Sequence, residues 1–265
     1  MKPIVSIIIP TFNRQEVLGR ALNSILNQTF DQWELIVVDG ASTDDTANFV
    51  RTNYPDVRLI QLNENRGAAA TRNAGIQVAS SRYIAFLDSD DEWQPEYLQR
   101  MVDTLESNPN NPMAYSGYIS CLDGEEAKRS IPKPIESDQV LSMLLREAFI
   151  QTMSLVVIRK SAFNTVGLFE ETLRSYHDIE LYLRILHLVG DAITVENYLV
   201  NKHWSRNSLL TNSNWQARAE YGKAAIELFY KLPGVEKYEN VRFRAIQTRS
   251  LVSQNLHSIF SKQWS

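Results

Sequence analysis

Short apolar runs alternate with amphipathic stretches through the first hundred residues. Val5–Ile9, Leu35–Val38, Val57–Leu62 and Tyr83–Leu87 are rich in Val, Ile and Leu, the pattern of parallel strands buried on both faces. Three stretches with helical spacing separate them. Glu16–Gln28 places Val17, Leu18, Ala21, Leu22, Ile25 and Leu26 on one face. Thr46–Asn53 follows the candidate caps Asp44 and Asp45, and Ala68–Ser80 is the third. The order β-α-β-α-β-α-β predicts an open parallel sheet with right-handed crossovers.

After Leu87 the rhythm changes. DSDDEW reads as a polar turn, and Pro95 opens a helix running to Glu106. Ala114–Cys121 reads as a strand and residues 122–134 as an exposed connection. A helix over Ser137–Ala148, a strand over Thr152–Ile158 and a helix over His177–Val189 follow. Ala192–His203 gives a weaker strand and turn. From Asn214 the pattern is helical to Leu232, breaks at Pro233-Gly234 and resumes over Tyr238–Phe260. The expected organisation is an α/β domain over residues 1–212 and a helical C-terminal appendage over 213–265.

Composition agrees with a globular chain: 265 residues, 44% hydrophobic and 22% charged. A net charge of −4 argues against a dedicated nucleic-acid binder. The charge is uneven, with ten Lys/Arg against four Glu from Lys202 onward and 17 basic against 27 acidic residues before it. Arg242, Arg244 and Arg249 concentrate the basic excess, which predicts peripheral contact of the C-terminal helices with an anionic membrane surface. Cys121 is the single cysteine, so no intrachain disulfide forms and a reducing cytoplasm is expected. The N-terminal apolar run is too short for a signal peptide. The longest apolar stretch, Val140–Ile158, is broken by Arg146, Glu147 and Gln151, which excludes a membrane span of ~20 residues.

In open α/β sheets ligands bind beyond the carboxyl ends of the strands. Those ends carry Pro10-Thr11-Phe12-Asn13-Arg14, Asp39-Gly40-Ala41-Ser42, Asn65-Arg66-Gly67 and Asp88-Ser89-Asp90-Asp91. The first turn has no glycine before Gly19, so a dinucleotide fingerprint is absent, and no P-loop occurs in the chain. Asp88 and Asp90, spaced i, i+2 after an apolar strand, can address one divalent cation. Their hard oxygens suit Mg²⁺ or Mn²⁺ bridging a diphosphate. The plain alternative is a solvated acidic turn. Arg66 and Arg72 place cations at and inside the mouth of the following helix, and Gly67 and Gly75 permit close backbone approach, which favours a ligand there.

VSIIIPTFNR, ELIVVDGAST, NRGAAATRNAG and FLDSDD, in this order and spacing, resemble the nucleotide-binding half of family 2 inverting glycosyltransferases. The resemblance is strong from Val5 to Asp91 and thins beyond. It implies a GT-A type fold, an open and mostly parallel sheet flanked by helices, with a nucleotide-sugar-binding half over residues 1–107 and an acceptor half over 108–212. It implies that Pro10, Thr11 and Asn13 line a base and ribose pocket, and that Asp39 hydrogen-bonds the base or ribose. Arg66, Gly67 and Arg72 then lie near the nucleotide. Asp88, Ser89 and Asp90 form the DxD turn, with Asp90 the better candidate for direct metal contact. Gly40 stands where many relatives carry a second Asp, which loosens the expectation of base identity.

Inverting transfer needs a general base on the acceptor side. His177-Asp178-Ile179-Glu180-Leu181 resembles the family's acceptor-side motif, which puts Asp178 on the base, while His177 replaces an acid. Glu180 is the fallback base, against the plainer reading of a Glu180–Arg184 pair at i, i+4. For Asp178 the plainer reading is helix capping. His203, before a Ser-containing loop, falls where relatives place a histidine that completes the metal shell or contacts the diphosphate. Trp93 is expected in the core, with contact to the donor or acceptor sugar as the alternative, and His187 as a structural or surface-exposed residue. The resemblance implies metal-dependent transfer, with Mn²⁺ or Mg²⁺, from a nucleotide-diphosphate sugar, expected to be UDP-linked, to a glycan or lipid-linked acceptor. A catalytically silent sugar-nucleotide-binding subunit is the competing reading, kept open by His177. A DxD phosphohydrolase fits less well, because its motif follows the first strand and here it follows the fourth.

Overall fold

The structure, a computed structural model, describes residues 2–122, 125–130, 139–146, 149–204, 215–236 and 238. Its first half alternates β1 (Val5–Thr11), α1 (Gln15–Leu26), β2 (Trp33–Asp39), α2 (Thr46–Asn53), β3 (Arg58–Gln61), α3 (Ala68–Val78) and β4 (Tyr83–Phe86). β1 and β4 are apolar on both faces because helices cover both, and Val5, Ile7, Ile8, Ile9 and all four residues of β4 are buried. The four strands are mutually parallel in the order β3-β2-β1-β4. The chain steps outward from β1 to β2 and β3, then returns to β4 on the other side of β1. The crevice beyond the carboxyl ends of β1 and β4 is therefore the switch point where such sheets bind ligands.

The second half adds β5 (Glu92–Trp93), α4 (Tyr97–Ser107), β6 (Met113–Leu122), β7 (Glu125–Ser130), α5 (Val140–Arg146), a 3₁₀ turn (Met153–Leu155) and β8 (Val156–Arg159). α6 (Lys160–Val166), α7 (His177–Leu188), β9 (Ala192–Trp204) and α8 (Trp215–Phe229) follow. The described strands form one mixed sheet of nine, ordered β3-β2-β1-β4-β8-β6-β9-β5, with β7 paired to β6. β8 runs antiparallel to β4 and β6, while β9 runs parallel to β6.

Several expectations change here. Residues 125–130, read as an exposed connection, form β7 against the end of β6, where backbone pairing rather than apolar pattern makes the strand. Glu92 and Trp93, read as turn, pair with Asn201 and Val200 of β9. The weak strand over Ala192–His203 is a 13-residue strand, bent where its pairing with β6 shifts around Gly117. α6 was not foreseen. α8 packs on α7, and His187 of α7 donates from Nε2 to Pro233 O at 2.7 Å, a structural role as expected. The second C-terminal helix, Arg242, Arg244 and Arg249 lie outside the described residues. Among the described residues no helix is long and apolar enough to cross a membrane.

Candidate active site

The ends of β1, β2 and β3 are in register: Thr11 pairs with Asp39, and Asp39 with Gln61. Asn13 and Ala41 both have positive φ, 52° and 66°, so each strand leaves the sheet through a left-handed turn. The two turns are tied together. Asn13 Oδ1 accepts from Thr43 N at 2.8 Å, and Asn13 N donates to Ser42 Oγ at 2.9 Å. Asp39 is fully buried and accepts from Ser42 N, Ser42 Oγ and, at 3.3 Å, Gln61 Nε2. Thr11 is also buried, and its hydroxyl has no hydrogen-bond partner among the described residues. Pro10 is half-buried beside it. Thr11, Asn13 and Asp39 thus sit together at the carboxyl ends of β1 and β2, with Asn13 holding the loops and Asp39 already hydrogen-bonded.

The DxD turn follows β4. Asp88 Oδ1 takes Arg72 Nη2 at 2.5 Å and Oδ2 takes Thr152 Oγ1 at 2.6 Å, while its amide donates to Ser154 Oγ at 3.0 Å. Burial works to raise the Asp88 pKa, but the Arg72 charge and these hydrogen bonds outweigh it and hold the carboxyl below its ordinary value. Asp90 goes the other way: burial and the Asp88 charge raise it, against Arg14 and Lys202. Its carboxylate forms no ion pair among the described residues, and Arg20 holds the turn through Asp90 O at 2.8 Å. Ser89 is buried between them.

Asp91 is 2% exposed and accepts from Ser154 Oγ at 2.6 Å and from His203 N at 3.3 Å. Burial, then the charges of Asp88 and Asp90, push its pKa up to about 8. In the unfolded chain an Asp ionises near its ordinary ~3.9. Between those values the folded state holds the extra proton, so Asp91 contributes stability below about pH 4 that is lost as the pH rises through about 8. Melting temperatures without divalent cations should fall over this range, and Asp91→Asn should flatten the slope. An unchanged slope in the variant would refute the assignment.

α3 opens at Gly67, whose φ of 90° no side chain tolerates well, and a Cβ there would stand 2.9 Å from Arg174 Nη1. The space at Gly67 is thus filled by Arg174. Gly75 does not serve a ligand: a Cβ there would lie 2.6 Å from Ile8 Cγ2, so this glycine lets α3 pack onto β1. Arg66 is exposed and pairs with Glu171. Arg72, 5% exposed, reaches Asp88 with Nη2 and His177 Nε2 with Nη1 at 2.8 Å, and lies over the Phe169 ring. Asn73 clamps the opposite wall by exchanging hydrogen bonds with Phe169 N and O, at 2.9 and 3.0 Å.

α7 brings the acceptor-side residues to the same place. A cleft of about 200 Å³ is lined by Arg72, Asp88, Thr152, Arg174, His177 and Asp178, among others. Asp178 is 8% exposed and does not occupy the capping position. Tyr176, left-handed at φ 62°, is the N-cap, and Asp178 sits two residues inside with Oδ1 accepting from Ile179 N at 2.9 Å. Glu180, the fallback base, is buried in a two-point pair with Arg184, at 2.5 and 2.6 Å, and Arg184 also binds Leu168 O. Its role is structural.

Residues 6–167 match the sequence pattern of glycosyl transferase family 2. The chain belongs to this family. Glycosyltransferase TuaG of Bacillus subtilis (strain 168), named for teichuronic acid biosynthesis, is 28% identical over 223 residues, 82% of this chain and 84% of its own. Escherichia coli WfgD, a UDP-Glc:α-D-GlcNAc-diphosphoundecaprenol β-1,3-glucosyltransferase, is 38% identical over 117 residues, 43% of this chain and 46% of its own. Among solved structures, mannosyltransferase PcManGT from Pyrobaculum calidifontis, in complex with GDP-Man and Mn²⁺, aligns with a TM-score of 0.60 at 18% identity, covering 99% of this chain and 88% of that one. The glycosyltransferase therefore has the GT-A type fold, and its relatives include one named for teichuronic acid biosynthesis and one named for transfer from UDP-Glc.

The expected metal set is not gathered in this glycosyltransferase. No group of three or more His, Cys, Asp or Glu among the described residues is placed to hold a metal. Asp88 is engaged by Arg72 and Thr152. His203 Nε2 lies 3.2 Å from Glu92, and burial, then the Arg20 charge, keeps its pKa low against the pull of Glu92. The donor chemistry nonetheless suits a hard divalent cation. Asp88, Asp90 and Asp91 crowd three carboxylates at one strand end, and Asp90 carries no neutralising ion pair among the described residues. Such a cation needs further ligands from a diphosphate or water. Trp93 stacks on Tyr97 at 4.2 Å and donates to Ser154 O, a core residue as expected.

The residues that hold this turn carry no signal in the sequence. Thr152 and Ser154 come from the 3₁₀ turn before β8, more than sixty residues from Asp88 and Asp91. Lys202, whose charge reaches all three aspartates, lies on the strand read as weak. Only the adjacent His203 signalled that segment.

Proposed function

We propose that the glycosyltransferase moves a hexosyl group, with inversion, from a UDP-linked donor to a glycan or lipid-linked acceptor of a cell-surface polysaccharide, at the inner face of the membrane. The observation that carries this reading is that Asp178 and Asp88 line one cleft, in which Arg72 bonds Asp88 and the His177 next to Asp178. Pro10, Thr11, Asn13 and Asp39 take the nucleoside, and contact with Asp39 requires Ser42 or Gln61 to yield its hydrogen bond. Arg66, Gly67, Arg72, Asp88, Ser89 and Asp90 form the wall for the diphosphate and sugar. Residues 1–107 and 108–212 make the donor and acceptor halves of one domain, and 213–265 the appendage.

Asp90 is the first ligand assigned to Mn²⁺ or Mg²⁺; to join it, Asp88 would have to share its carboxylate with Arg72 and Thr152, and His203 would have to leave Glu92. When bound, the cation supplies positive charge to the departing diphosphate. The acceptor hydroxyl gives its proton to the Asp178 carboxylate as its oxygen bonds the anomeric carbon. The bond from that carbon to the diphosphate breaks on the opposite face, and nucleoside diphosphate leaves. Arg72 holds Asp88 ionised and oriented throughout.

The lipid-linked acceptor is supported by the activity in the WfgD name, and the metal by the Mn²⁺ in the PcManGT complex. The test is a panel of UDP, GDP, dTDP and CDP sugars with Mn²⁺, read by thermal shift and by nucleoside diphosphate release. UDP sugars should stabilise the protein and be hydrolysed slowly. Binding without release under any acceptor would favour the silent subunit.

A further inference from the structure

We propose that His177 is a positioning residue that works as the neutral Nδ1–H tautomer, accepting a hydrogen bond from Arg72 and so tying the two walls of the cleft together. The bond is 2.8 Å between Arg72 Nη1 and His177 Nε2. A guanidinium has only N–H groups to offer. The imidazole nitrogen facing it must therefore present a lone pair, which leaves the ring proton on Nδ1 and the ring uncharged.

Arg72 is buried, so its charge has few outlets. Nη2 is committed to Asp88 Oδ1, Nε has no hydrogen-bond partner among the described residues, and the Phe169 ring lies below the guanidinium. An acid at position 177 would compete with Asp88 for that charge. A neutral imidazole fixes the guanidinium without drawing charge from Asp88. That gives the departure from the acidic pattern at this position a physical use.

The bond also spans the site. Arg72 and Asp88 belong to the wall built by α3 and the end of β4. His177 is the first residue of α7 and the neighbour of Asp178. Left-handed Tyr176 turns the chain into α7, so the placement of the carboxylate depends on what holds this first turn. The His177–Arg72 bond sets the distance between the base wall and the diphosphate wall, and in that respect it rests on the function proposed above.

Two readouts separate this inference from that function. Two-bond ¹H–¹⁵N correlation spectra of the imidazoles at pH 7.5 report the tautomer with no turnover, the His177 signals being those lost in His177→Gln. The Nδ1–H pattern is expected for His177. His187, which faces a carbonyl, should give the opposite, Nε2–H pattern. An Nε2–H or doubly protonated His177 overturns the proposal, whether or not the protein transfers sugar. In transfer assays, His177→Ala should lower kcat by about ten- to a hundredfold, the range for a lost hydrogen bond to a charged group. UDP affinity should change less than about threefold. His177→Gln, which keeps an uncharged acceptor near the Nε2 position, should recover kcat to within about threefold of wild type. Wild-type kcat in His177→Ala, or equal losses in both variants with melting temperatures unchanged, rules the positioning role out. If the alanine variant fails to fold, the spectra of the wild-type protein still decide.

Discussion

Asp178→Asn should reduce sugar transfer by about a hundred- to ten-thousandfold, the contribution of a well-placed general base, while UDP binding stays within about threefold of wild type. The substitution keeps shape and keeps an oxygen to accept from Ile179 N, so the first turn of α7 loses charge but not its hydrogen bond. A change of melting temperature beyond a few degrees is not expected. Neither Glu180 nor His177 stands ready to replace the base. Glu180 is spent on Arg184, and the His177 Nε2 lone pair faces Arg72. Steady-state transfer and calorimetric titration with UDP, run on the same preparation, test the two halves together. Wild-type turnover in the variant would remove Asp178 from the reaction. Equal loss of UDP binding would make it a donor-site residue instead.

The donor half was legible because its central strands are largely buried, so β1, β2 and β4 carry short runs rich in Val, Ile and Leu, each followed by polar residues. Register then aligns Thr11, Asp39 and Gln61 without further information. β5 and β7 carried no such signal. Glu92-Trp93 and Glu125–Ser130 are strands because β9 and β6 offer unpaired backbone, and an amino-acid pattern does not report that. The same limit applies to the site. Asp88 and Arg72 could be picked out by spacing, yet the contact between Arg72 and His177 joins residues 105 apart in the chain. Gly75 was misread because a glycine near a ligand and a glycine under a strand look identical until Ile8 is seen against it. Asp178 was placed by resemblance, and its position inside the helix rather than at the cap emerged only from the backbone of Tyr176.

Asp90→Ala should produce two effects of opposite sign. Without divalent cation the variant should be as stable as wild type or more so at neutral pH, because Asp90 is partly buried beside Asp88 and Asp91 and repulsion raises its pKa. Removing a carboxylate that the fold disfavours in its charged form relieves that repulsion. With Mn²⁺ present, UDP affinity should fall at least about tenfold, the scale of one lost charge-assisted contact, and with it the stabilisation that ligand gives the wild-type protein. Transfer should fall further, since the charge on the departing diphosphate would go unmatched when it is greatest. In EDTA the two proteins should bind UDP alike. A merely structural acidic turn predicts the reverse pattern: lower stability without metal, and a UDP titration in which Mn²⁺ makes the same difference to both proteins. Thermal melts and UDP titrations, each with and without Mn²⁺, separate the two, because only a metal-binding Asp90 couples higher stability to weaker binding.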